Sequence, residues 1–137
     1  MGHAKKPRIR KIEGLKEEHF GQLSRHVFFS PKTTCNSYLK MAFIEAPPGS
    51  VGTPHIHLGE EIVYTLRGKA ITTVDGQDYI LEEGTCFLIP PEVEHSSRVV
   101  SDDNWVAVAA YCDECPVLKK HTGKEEVEYP VAVEPKE

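Results

Sequence analysis

Residues 53–68, "TPHIHLGEEIVYTLRG", place two histidines one residue apart and follow them with two glutamates and an alternating stretch. Neutral imidazole binds iron, nickel, copper and zinc, and a carboxylate adds the negative charge that offsets a divalent ion. In an extended segment, residues two apart point the same way. His55 and His57 then share a face, Glu61 keeps their parity, and Glu60 points away. Three such groups become a good site only when a further ligand arrives from elsewhere. His95, which opens a later segment just after Pro90-Pro91, is the candidate. The alternative is that these are polar residues at the mouth of a strand.

The rest of the chain must position these groups. At 137 residues it is one domain, long enough to bury a core without disulfide staples. A hydrophobic content of 39% with 27% charged residues describes a globular chain rather than a disordered one. No apolar run approaches the roughly 18 residues of a membrane span, and the N-terminus lacks an apolar signal region. A formal charge of −5 argues against nucleic acid or an anionic membrane as the main partner. The cysteines, Cys35, Cys86, Cys112 and Cys115, are too scattered for a disulfide scaffold, so a reducing cytoplasm is the expected location.

The middle of the chain reads as many short strands. "NSYLKMAFIEA" (36–46) precedes a Pro/Gly loop, and "EIVYTLRG" (61–68) alternates at period two. Asp75-Gly76 between "KAITTV" and "QDYILE" predicts a hairpin whose two central residues take positive φ. "TCFLIPP", "EHSSRVV" and "NWVAVAAYC" supply further strands, and turn signals every eight to twelve residues point to an all-β sandwich or barrel. Helical signal is thin; "EGLKEEHFGQL" (13–23) is the one stretch that suggests a turn or two. The polar end of the chain is expected to be extended, laid along a strand edge.

Two motifs carry a family resemblance. Gly49, five residues, His55-Ile56-His57, three residues, Glu61, six residues and Gly68 form the first. Gly84, five residues, Pro90-Pro91-Glu92, two residues, His95, three residues and Val99 form the second. Together they resemble the small single-domain cupins, whose pattern has glycine at the place of Glu92 and asparagine at that of Val99. Neither departure removes a ligand, but Glu92 must then adopt a turn that glycine eases.

The resemblance implies a single double-stranded β-helix, or jelly-roll barrel, over residues 36–112. An N-terminal arm, 1–35, would add edge strands and a short helix, and an acidic tail, 113–137, would follow. It implies one divalent transition metal (Fe, Mn, Ni, Co, Cu or Zn) held by His55, His57, Glu61 and His95. That set leaves open positions on an octahedral ion, unlike structural zinc. A small-molecule substrate and a homodimer follow from the same analogy. Chemistry of dioxygenase, isomerase or lyase type is the first functional reading. A metal- or ligand-binding sensor barrel without turnover is the second. A storage barrel is the third, although storage members lack the metal ligands.

Other residues are weighed beside these. Tyr38 and Lys40 share a strand face with Ala42. Facing inward, they offer a hydroxyl and a cation to an acidic substrate. The more apolar face of Leu39, Met41 and Phe43 favours the outward reading. Cys86 either lines the pocket or is a small core residue. Cys112 and Cys115 form a C-x-x-C, read as two rim thiols, with a reversible disulfide as the sharper alternative. His19, His26 and His121 have no partner pattern.

Overall fold

The computed structural model describes residues 6–35, 38–112 and 135–136. The strands are β1 (Lys16–Phe20), β2 (Leu23–Phe29), β3 (Lys40–Ala46), β4 (Glu61–Arg67), β5 (Lys69–Val74) and β6 (Gln77–Glu82). They continue with β7 (Cys86–Ile89), β8 (His95–Val99), β9 (Trp105–Tyr111) and β10 (Pro135–Lys136). One sheet has the order β1-β2-β3-β9-β4-β7 and the other β10-β6-β5-β8. Every pairing between these strands is antiparallel, and the two sheets form a jelly-roll barrel.

Period-two alternation decides which residues enter. On β3, Ala42, Ile44 and Ala46 are buried while Met41 and Glu45 are exposed; on β4, Glu61, Val63 and Thr65 are buried while Ile62, Tyr64 and Leu66 are not. Leu23, Ile44, Val63, Leu81, Ile89, Val99 and Trp105 belong to one core cluster between the sheets. The Trp105 Nε1 donor is satisfied within it by Thr65 Oγ1 at 3.1 Å, which removes the cost of burying an indole N–H. Among these apolar positions stand three charged or ionisable side chains, Arg25, Glu61 and His95.

The β5–β6 turn follows the sequence rule, with Asp75 at φ 50° and Gly76 at φ 81°. The 13–23 stretch does not. It holds no helix among its described residues; β1 and β2 form a hairpin with Lys16 opposite Val27 and Phe20 opposite Leu23. Pairing of β2 with β3 secures a hydrogen-bonded partner and a buried face that an isolated short helix cannot gain in water. The helix found among the described residues is one turn, α1 (Pro31–Thr34), capped by the Ser30 side chain on the Thr33 N–H and ended by Cys35 at φ 58°. A Ser-Pro pair is a helix-start signal that explains it. At the far end, Pro135 and Lys136 pair with Tyr79 and Asp78 at the edge of β6. No helix among the described residues is long and apolar enough to cross a membrane.

Candidate metal centre

The loop before β4 and the turn before β8 are stitched together by backbone. His55 N donates to His95 O at 3.0 Å and His95 N to His55 O at 2.9 Å. The Glu92 N–H reaches His57 O at 2.8 Å, with Glu92 at φ 62°. A non-glycine residue in that left-handed region costs about 1 kcal/mol or more. The strain expected from its departure from glycine is therefore present, and the bond to His57 holds it in place.

The imidazoles are aimed by their second nitrogens. His55 Nδ1 lies 2.8 Å from Thr53 O and His95 Nδ1 lies 3.0 Å from Val93 O. A carbonyl oxygen only accepts, so each Nδ1 carries the proton and each Nε2 presents a bare lone pair. Both of those Nε2 atoms are buried and make no hydrogen bond among the described residues. The ligand atoms of His55, His57 and His95 lie within 4.8 Å of one another. Small side-chain shifts bring such a set onto one ion with bonds of roughly 2.1 Å.

Glu61, the first residue of β4, is buried beside them. Its Oε1 is 3.2 Å from His57 Nε2 and 3.5 Å from His95 Nε2, and its Oε2 faces Arg25 Nη1 at 3.8 Å. Burial alone raises a carboxyl pKa. The neighbouring imidazole of His57 and the positive charge of Arg25 outweigh it, and hold Glu61 well below the usual carboxylate range. Burial, with the neighbouring charges, lowers the pKa of His55 against a smaller opposing effect of its bond to Thr53. The result is an ionised carboxylate and a neutral imidazole, the forms that bind metal. The convergence of the three imidazoles and the tautomers of His55 and His95 fit a divalent ion, with the Glu61 carboxylate beside them as a further donor.

The remaining candidates go elsewhere. Lys40 does share the buried parity of Ala42 and Ile44, contrary to the outward reading. Its side chain is 12% exposed, 3.1 Å from Glu18 Oε1 and 5.0 Å from the centroid of the Tyr111 ring. The apolarity of Met41 and Phe43 misled because the outer face of this sheet is apolar too. Tyr38 is exposed. Cys86 is exposed on the outer face opposite Tyr64, so it neither lines the recess nor belongs to the core. Of the C-x-x-C, only Cys112 is among the described residues; Cys115 and His121 lie outside them.

Two site residues escaped the sequence reading. Arg25 and Tyr111 stand beside Glu61, with Arg25 Nη1 donating to Tyr111 Oη at 2.5 Å. Arg25 had a legible signal. It alternates with Leu23 and Val27, which makes it a charge at an apolar parity.

Comparisons with known proteins agree with this architecture. An RmlC-like cupin from Shewanella frigidimarina superposes with a TM-score of 0.62 at 22% identity, over 82% of this chain and 96% of that one. A predicted oxalate decarboxylase from Thermotoga maritima gives 0.65 at 18% identity, over 78% and 100%. The polyketide cyclase RemF from Streptomyces resistomycificus gives 0.66 at 16%, over 81% and 82%. At these identities the likeness is one of fold. By sequence, the chain is 39% identical over 62 residues to the HTH-type transcriptional regulator PuuR of Escherichia coli. That match takes in 44% of this chain and spans 34% of the regulator's length. The cupin domain pattern itself matches residues 42–111, just over half of the sequence and the whole of β4 to β9 with nearly all of β3, and the chain belongs to the cupin family.

Proposed function

We propose that this cupin is a metal-dependent enzyme acting on a small organic molecule, by chemistry of dioxygenase, isomerase or lyase type. The observation that carries this is the convergence of His55, His57 and His95 on the buried, ionised Glu61, with Nδ1 of His55 and His95 spent on carbonyls. A set of three imidazoles and one carboxylate would hold one divalent ion of Fe, Mn, Ni, Co, Cu or Zn. Bound there, the ion supplies Lewis-acid or redox chemistry. The chain's own part is to orient the ligands, to keep Glu61 charged, and to wall the site with Leu23, Ile44, Val63 and Ile89. The thiol usage and net charge favour a cytoplasmic protein acting on no nucleic acid or membrane.

A second reading has its own support. Identity of 39% to part of a transcriptional regulator favours a barrel that binds a metal or small ligand without turnover. One experiment separates the two. Protein purified without chelator or nickel resin is analysed for metal, then each loaded form is assayed for oxygen uptake, isomerisation and elimination on a panel of small organic molecules. About one equivalent of metal with turnover is the expected result. Metal with tight binding and no turnover selects the sensor reading. No metal bound, even after each ion is added, sinks the enzyme reading and leaves only a barrel that binds a small ligand.

The same proposal includes a homodimer through the outer face of the larger sheet. Met41, Ala110, Ile62 and Leu88 form one cross-strand row, and Phe43, Val108, Tyr64 and Cys86 the next. No charged side chain interrupts them, and Ile62, Tyr64 and Leu88 are exposed. A contiguous patch of this kind is unusual on a monomer, and a two-fold axis lets it cover itself. Light scattering on the wild type is expected to give about twice 15.3 kDa, and Tyr64→Glu the single-chain mass. A wild type at 15.3 kDa rules the dimer out.

A further inference from the structure

We propose that Arg25 anchors an anionic ligand, and that the site takes a small carboxylate in preference to a neutral molecule. This deepens the metal-centre reading above and rests on it.

Arg25 points into the barrel from β2 with a side chain only 5% exposed. A buried guanidinium is costly unless its charge and its N–H groups are met. Here they are met in part. Nη1 donates to Tyr111 Oη at 2.5 Å, and the rings of Phe20 and Tyr111 lie 4.2 and 5.1 Å from the guanidinium carbon. Aromatic faces favour a cation, but they leave its in-plane N–H groups unanswered. Nε is buried and has no hydrogen-bond partner among the described residues. The nearest anion, Glu61, offers Oε2 at 3.8 Å, beyond a direct hydrogen bond, while its Oε1 is turned to the imidazoles.

Charge leads to the same conclusion. A divalent ion and a guanidinium set against one carboxylate leave the loaded site with excess positive charge. The walls of the recess are largely apolar, so water screens that excess poorly. Arg25 is the one Lys or Arg side chain among the described residues lining it, since Lys40 is committed to Glu18. An anionic ligand restores the balance, and the planar fork of a guanidinium matches the two oxygens of a carboxylate. Arg25 also lies outside residues 42–111, the stretch matched to the cupin domain. The anchor comes from the N-terminal hairpin rather than from the shared motifs.

The test uses cobalt(II)-loaded protein, titrated with pyruvate as the anionic probe and imidazole as the neutral one, followed by the visible spectrum of the metal. Arg25→Gln is expected to weaken pyruvate binding roughly tenfold or more and to leave imidazole binding unchanged. Equal pyruvate affinity in wild type and variant overturns the proposal. So does a parallel loss of both probes, which reports a disturbed metal centre. A wild type that takes up no cobalt overturns the metal-centre reading itself, a separate outcome from either. Should Arg25→Gln not fold, Arg25→Lys decides, because it keeps the charge and lacks the fork and the Nε donor. Weakening of pyruvate alone supports the anchor, and wild-type affinity for it refutes the anchor.

Discussion

His95→Ala is expected to weaken metal binding by at least about 100-fold and to leave the purified protein nearly metal-free. Removing groups that merely orient a metal ligand already costs about 10- to 100-fold, and His95 is proposed as a ligand. It is also the residue that ties the two motifs, through its paired backbone bonds with His55 and its side chain against Glu61. Elemental analysis and competitive titration measure the loss. His19→Ala is the control, since His19 is exposed on β1 and is expected to bind metal as the wild type does. A His95→Ala protein that retains a full equivalent would mean that other donors hold the ion.

Gly68→Ala is expected to destabilise the fold by about 4 kcal/mol or more, from positive-φ strain added to an overpacked backbone contact. Gly68 lies between β4 and β5, where the chain passes from one sheet to the other, and its φ is +80°. A Cβ there would stand 2.2 Å from Asn104 O and 2.8 Å from Trp105 Cα. Both are backbone atoms at the start of β9, a central strand that cannot retreat without unpairing from β3 and β4. Gly76 separates the two causes. Its φ is +81°, and a Cβ added there would meet nothing within 4 Å, so Gly76→Ala is expected to cost only about 1–2 kcal/mol, the strain alone. Urea unfolding of both variants makes the comparison. Equal losses would show that the approach of Asn104 is not what demands glycine at 68.

Local rules made much of the fold legible. Alternation along Glu61–Arg67 and a positive-φ pair at Asp75-Gly76 depend on neighbouring residues alone, so β4, β5 and β6 could be read directly. The histidines and the glutamate were legible for a different reason. Metal chemistry restricts the residue types, and the turn and strand that aim them impose fixed spacings, so the site leaves a pattern in the chain.

What only the tertiary structure decided is which face of a strand looks inward when both are apolar, and which distant segments meet. Met41 and Phe43 looked like core, yet Ala42, Ile44 and Ala46 are the buried set and Met41 is exposed, because the outer face of this sheet is apolar too. Cys86 followed Tyr64 to the outer face by register, a relation between strands more than twenty residues apart. Residues 16–20 became a strand because β2, itself held by β3, was available to pair with them. Arg25 reached Glu61 and Tyr111 for the same reason. Pairing of β2 and β9 on either side of β3 in one sheet brings residues 86 positions apart into one hydrogen bond, and no local propensity encodes that distance.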